Sequence, residues 1–160
     1  MPTAAKFSCG YTLVRMDQQA TYDDVKLILH LYELRREEKL REARKWFAKF
    51  NARTFAEKNE LCPPGSGEDA YFRMVVTYWD MVASFITSGV LHQELFLQSG
   101  GELLFVWEKI RDIVPEWRTA FGNPNIAGNL EKVSQGAIEF MNRGNPKAYE
   151  TFSARVRGIR

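Results

Sequence analysis

The stretch SGEDAYFRMVVTYWDMVASFITSG, from Ser66 to Gly89, decides the fold. Its polar residues Asp69, Arg73, Thr77, Asp80, Ser84 and Thr87 recur at spacings of 4, 4, 3, 4 and 3. On an α-helix those spacings draw one narrow line. The large residues between them are apolar, among them Tyr71, Phe72, Trp79, Met81 and Phe85. A helix apolar around most of its circumference belongs in the middle of a bundle. Ser66 with Asp69 has the spacing of a capping box, and Gly89 is placed to end the helix.

On the N-terminal side, Cys62-Pro63-Pro64-Gly65-Ser66 is the clearest break in the chain, and residues 51–66 read as a loop within one domain. Before it, Tyr22 to Phe50 contains neither proline nor glycine, and Thr21 with Asp24 marks its start as a second capping box. Lys26, His30, Glu33 and Glu37 form a polar stripe, so Val25, Leu29 and Tyr32 are expected to face the core, followed by Leu40, Ala43, Phe47 and Phe50. Arg36 interrupts that row, which predicts two helices, or one bent near Arg35–Glu38. Residues 1–20 carry a weak alternation of Phe7, Cys9, Tyr11 and Leu13 and are expected to form an extended or partly disordered arm.

On the C-terminal side, a short helix is expected over His92–Gln98. Then Leu103, Trp107, Ile110, Val114, Trp117 and Phe121 recur at 4, 3, 4, 3 and 4, with a kink or restart predicted at Pro115. Ile126, Leu130, Val133, Ala137 and Phe140 mark another helix. Gly128 and Gly136 weaken it and leave room for a close neighbour. Asn145-Pro146 is expected to open the last helix. The result is an all-α bundle of five to seven helices: an arm over 1–20 and a single helical domain over 21–160.

Composition agrees with a sizeable core. Of 160 residues, 45% are hydrophobic and 13% aromatic, and the formal charge is +2. Cys9 and Cys62 are too few for a disulfide framework and are read as free thiols in a reducing compartment, though spacing does not exclude one bridge between them. No run reaches the roughly 18 apolar residues of a membrane span, and the N-terminus lacks the apolar region of a signal peptide. A cytoplasmic location is expected.

Two features offer chemistry. The first is basic. Arg35 to Lys58 holds nine lysines and arginines against four acidic residues, a surplus of five. Arg41, Lys45, Lys49 and Arg53 fall at i,i+4 spacing, suited to following a phosphate backbone or an anionic surface. Against this, Trp46, Phe47 and Phe50 fall on the core side, and Glu37 with Arg41 and Glu42 with Lys45 have the spacing of ordinary helix pairs. The second is the line Arg73, Thr77, Asp80 and Ser84. Covered by another helix, it becomes a polar groove in which Asp80 needs a cation, from Arg73 or from Arg118. The bland reading is a solvated face or a structural ion pair.

Other chemistry is disfavoured. His30 and Glu33 share a helix face once, in the reverse of the order that di-iron bundles use, and His92 fits an N-cap or loop role, so no metal is expected. Nucleophile elbows, phosphate loops and dinucleotide fingerprints are missing, and no cofactor is expected. Ser99-Gly100-Gly101 precedes a helix, but Glu102 already supplies negative charge there.

Tyr32-Glu33-Leu34-Arg35 through Arg41-Glu42-Ala43-Arg44, Ser84-Phe85-Ile86 with Gly89-Val90-Leu91, Glu94-Leu95 and Trp107 resemble a bacterial family of helical domains of unknown function. The resemblance covers about residues 22–145. Members often carry a transmembrane helix ahead of the domain, and none is read here. The resemblance implies the helical fold and no catalytic residues. The leading expectation is an interaction module that binds a protein partner or a second copy of itself through a patch drawn from Phe55, Leu91, Phe96, Leu97 or the arm. Two alternatives stand beside it: nucleic-acid or anionic-surface binding through the basic row, and a small enzyme or ligand-binding protein with its groove at Asp80.

Overall fold

The computed structural model describes residues 19–158. Nine α-helices and no strand occur among them: α1 Tyr22–Leu34, α2 Glu38–Phe47, α3 Phe55–Leu61, α4 Gly67–Thr87, α5 Gln93–Gln98, α6 Glu102–Ile110, α7 Val114–Phe121, α8 Gly128–Asn142 and α9 Ala148–Arg157. The expected arm lies almost wholly outside these residues.

The all-helical class is as expected, and there are more helices than the five to seven read from the pattern. Two causes account for most of the excess. Residues 51–66 are not all loop: Thr54 and Glu57 form a reciprocal capping box that starts the two-turn α3. The Leu103–Phe121 row breaks into α6 and α7, because Pro115 sits in the first turn of α7, where its missing N–H costs nothing.

α4 is the axis of the bundle. It packs on α2 along one side and on α8 along the other, with α6 also against it. Phe72, Val75, Val76, Trp79, Val82, Ala83 and Ile86 are buried along its length. Phe72 meets Phe47, Phe50 and Trp117 at ring separations of 5.2–6.1 Å. Burying a side chain of this size contributes about 1.5–3 kcal/mol, so this aromatic cluster is the main joint between α2, α4 and α7.

The caps show how sequence set the ends. Thr21 and Asp24 form the expected box at α1. At α4 only half a box exists: Ser66 Oγ accepts from Asp69 N–H, while the Asp69 carboxylate turns to Gly65 N–H and to Lys58. Gly89, at φ +75°, follows the end of α4. Asn145 does not cap α9. Its side chain accepts from Lys147 N–H in a tight turn, and the helix starts later, at Ala148.

Two expected core assignments are overturned. On α1 the buried side is Asp24 and Leu31, with Leu27 and Ile28 packed beside them, while Val25, Leu29 and Tyr32 point outward. Phe121 is exposed and meets only the edge of Phe55.

Candidate functional site

The polar line of α4 does not form an open groove. Arg73 pairs with Asp69 one turn back, at 3.1 Å. Thr77 and Ser84 donate their hydroxyls to carbonyls of α4 itself. Asp80 accepts from Leu130 N–H at 2.9 Å, in the first turn of α8. The residue before α8, Ala127, has a left-handed backbone and no side chain that caps, so Asp80 does that work from another helix. Arg118, the other expected partner, is committed to the Ile126 carbonyl and to Glu131.

The basic row is not one helical face. Arg41 and Lys45 are exposed on α2, but the helix stops at Phe47. Lys49 lies in the following turn. Arg53 is folded back onto Asp112 at 3.6 Å and the Arg157 carbonyl at 2.7 Å. The expected apolar patch is also mostly spent: Leu91 and Phe96 are buried, and Phe55 and Leu97 are half-buried.

Three other places gather polar groups. Lys58 and Asp69 form a buried ion pair at 3.1 Å beneath the aromatic cluster. Burial acts to raise the Asp69 carboxyl, but Lys58, Gly65 N–H and Arg73 outweigh it and hold the pKa below its ordinary value. Between α6 and α9, Glu108 is buried and accepts from Tyr149 Oη at 2.8 Å and Ser153 Oγ at 2.6 Å. Arg111 Nε lies 3.2 Å from it, off the line of a hydrogen bond, so that contact is Coulombic. Arg157 reaches Asp112 at 2.6 Å beside it. This network ties α9 to α6, and every acid in it is matched by a guanidinium.

The third place is a cleft of about 760 Å³ between the start of α1, the α4–α5 turn and α8. Ile86, Leu91, Leu97 and Phe140 supply its apolar lining, and Gln93, Gln135, Glu139 and Arg143 its polar lining. Asp24 faces it but is fully engaged, accepting from Thr21 N–H, Thr21 Oγ1 and His92 N–H, each at 2.7 Å. Burial acts to raise its pKa, yet these bonds prevail and hold it low. His92 Nδ1 accepts from Leu95 N–H and so caps α5, the first of the two roles expected for it. Gly136 forms the wall where the Gln93 amide lies, so a Cβ there would push that amide aside. This is the close neighbour that the glycine was read to permit; Gly128 has none. Among the described residues no three His, Cys, Asp or Glu side chains are grouped to hold a metal ion.

Among the described residues, the outer face of α1 carries an exposed apolar row. Tyr22, Val25, Leu29 and Tyr32 are 73, 39, 59 and 41% exposed. At spacings of 3, 4 and 3 they form a continuous apolar stripe, the a/d pattern of a helix that meets another helix. Sequence reasoning missed its direction because α1 has two apolar faces. Asp24 was the available signal, since its partner His92 lies 68 residues away and draws that face inward.

The family model described as a domain of unknown function, DUF4760, matches residues 20–136. The chain belongs to this family. No curated protein and no solved structure matches it. The DUF4760 match begins just before α1 and ends within α8, so the α1 stripe, α4, Glu108 and most of the cleft lining fall inside it while α9 lies beyond. No helix among the described residues is long and apolar enough to cross a membrane.

Proposed function

We propose that this DUF4760 domain is a self-associating interaction module whose contact surface is the outer face of α1. The observation that carries this reading is the stripe of Tyr22, Val25, Leu29 and Tyr32, four large side chains turned to solvent on one helix. Isolated exposed apolar residues are ordinary, but a contiguous row at helix-pairing spacing is not.

Charge names the occupant as a second copy. Lys26 and Glu33 flank the stripe on one side, seven residues apart. Two α1 helices set antiparallel about a two-fold axis put Tyr22 opposite the partner's Tyr32, and Val25 opposite the partner's Leu29. The same register brings Lys26 beside the partner's Glu33, twice per dimer. A 13-residue helix is about 20 Å long, so the contact falls at the small end of interfaces and the dimer is weak and concentration-dependent. The buried free thiol of Cys62 suits a reducing, cytoplasmic setting.

Sedimentation velocity from about 10 µM to about 1 mM tests the reading. The weight-average mass is expected to rise toward two chains. Leu29→Glu should hold the protein monomeric with its helix content unchanged. Lys26→Glu and Glu33→Lys should each weaken the dimer, and the double reversal should restore it. A monomer at every concentration, or a double reversal no better than either single change, overturns the proposal.

A further inference from the structure

A void of about 20 Å³ lies under the end of α1, between Arg35, Tyr78, Trp79 and Glu102. A space of that size holds one small particle. Trp79 is 3% exposed, and its indole N–H has no acceptor in the protein. The Nε–H of Arg35 is likewise buried without an acceptor. A buried donor left unmatched costs about 1–3 kcal/mol, and the two residues that carry these donors both line this one space.

The groups around them do not supply the missing acceptor. Glu102 is held by Arg44 through both carboxylate oxygens and also meets Arg35 at 3.2 Å. Tyr78 donates its hydroxyl to the Leu31 carbonyl, and burial pushes its phenol up to about 12, so it stays neutral. Ser99 donates to the Phe96 carbonyl. Two guanidiniums stand against one carboxylate, which leaves the cluster with one positive charge in excess.

We propose that this void is a binding site for a single monatomic anion, chloride, held by Arg35 Nε–H and Trp79 Nε1–H. An acceptor without protons matches both donors and neutralises the excess charge.

Thermal melts in sodium chloride, sodium bromide and sodium gluconate at equal ionic strength test the site. The halides are expected to raise the melting temperature by about 2–4 °C over gluconate at about 150 mM, as a ligand specific to the folded state must. Trp79→Phe keeps the ring, removes the N–H and should lose most of that difference. Crystals of the unaltered protein grown in bromide are expected to show an anomalous peak between Arg35 Nε and Trp79 Nε1, a readout that stands even if the variant fails to fold. Equal melting in all three salts, a salt difference that Trp79→Phe retains in full, or a peak without anomalous signal (a water only) overturns the proposal.

Discussion

At the scale of single residues, the sequence located most of the important side chains and misjudged their partners. Asp80 stood out because it breaks an apolar helix, and its spacing with Arg73 suggested a groove. In the fold it accepts from Leu130 N–H and caps α8 from α4. The bond predicts a stability effect rather than a ligand effect. Asp80→Ala is expected to cost about 1–2 kcal/mol, the usual loss of an N-cap. Asp80→Asn keeps an acceptor oxygen, loses only the charge at the helix start and should cost about 0.3–1 kcal/mol. Urea denaturation of both variants checks the order, and equal losses would show that the oxygen at 80 is not a cap. No spacing rule could have disclosed this. Residues 80 and 130 are joined by a contact between helices, and sequence periodicity reports only neighbours on the same helix.

At the scale of helices, periodicity was read correctly wherever one face was much more apolar than the rest. α4 and α6 are such helices: Phe72 and Trp79 on the first and Leu103, Trp107 and Ile110 on the second are buried as the pattern named them, while Met81 is exposed. α1 carries apolar residues on two faces, so counting them could not choose between the faces. α3 was hidden by the prolines after it, although Thr54 and Glu57 carried its start signal. α9 is a different case, because none of its residues is fully buried. It is held to α6 by Tyr149, Ser153 and Arg157 reaching Glu108 and Asp112. Glu108 was not singled out by the sequence, and its partners lie more than 40 residues away. Removing the buried acid takes away the acceptor of Tyr149 and Ser153 and leaves Asp112 as the one acid beside Arg111 and Arg157, so Glu108→Ala is expected to release α9 first. Hydrogen exchange is the measurement. Protection in α9 should fall at least tenfold, while the amides of α4 change only with global stability. Uniform loss across all helices would show that α9 is not a separate unit.

For the whole molecule, the balance of charges makes acid the natural denaturant. Asp69 and Asp24 both have pKa values held below the ordinary carboxylate value of 3.8, the first beside Lys58 and the second under three donated hydrogen bonds. A lowered folded-state pKa means stability that is fully present above the unfolded pKa and is lost as pH falls through the folded one. Unfolding free energy is therefore expected to hold level from neutral pH to about 5 and to drop below about 4. Asp69→Asn should flatten part of that drop while lowering the neutral plateau. Urea melts at a series of pH values measure both, and a variant with the unaltered acid slope would remove Asp69 from this account.

The sequence by itself determined that this chain is helical, which helix is central and where most helices start, because caps, breakers and the 3.6-residue period act between residues close along the chain. Tertiary structure alone decided which face of α1 is buried, that Asp80 caps α8 from α4, that Arg53 is drawn out of the basic row, and that Arg35 and Trp79, each with a buried unmatched donor, line one space. Each of those outcomes depends on groups from distant parts of the chain arriving at one point, and no local pattern encodes which of two similar faces finds the better partner. The outer stripe of α1 is what that choice left exposed.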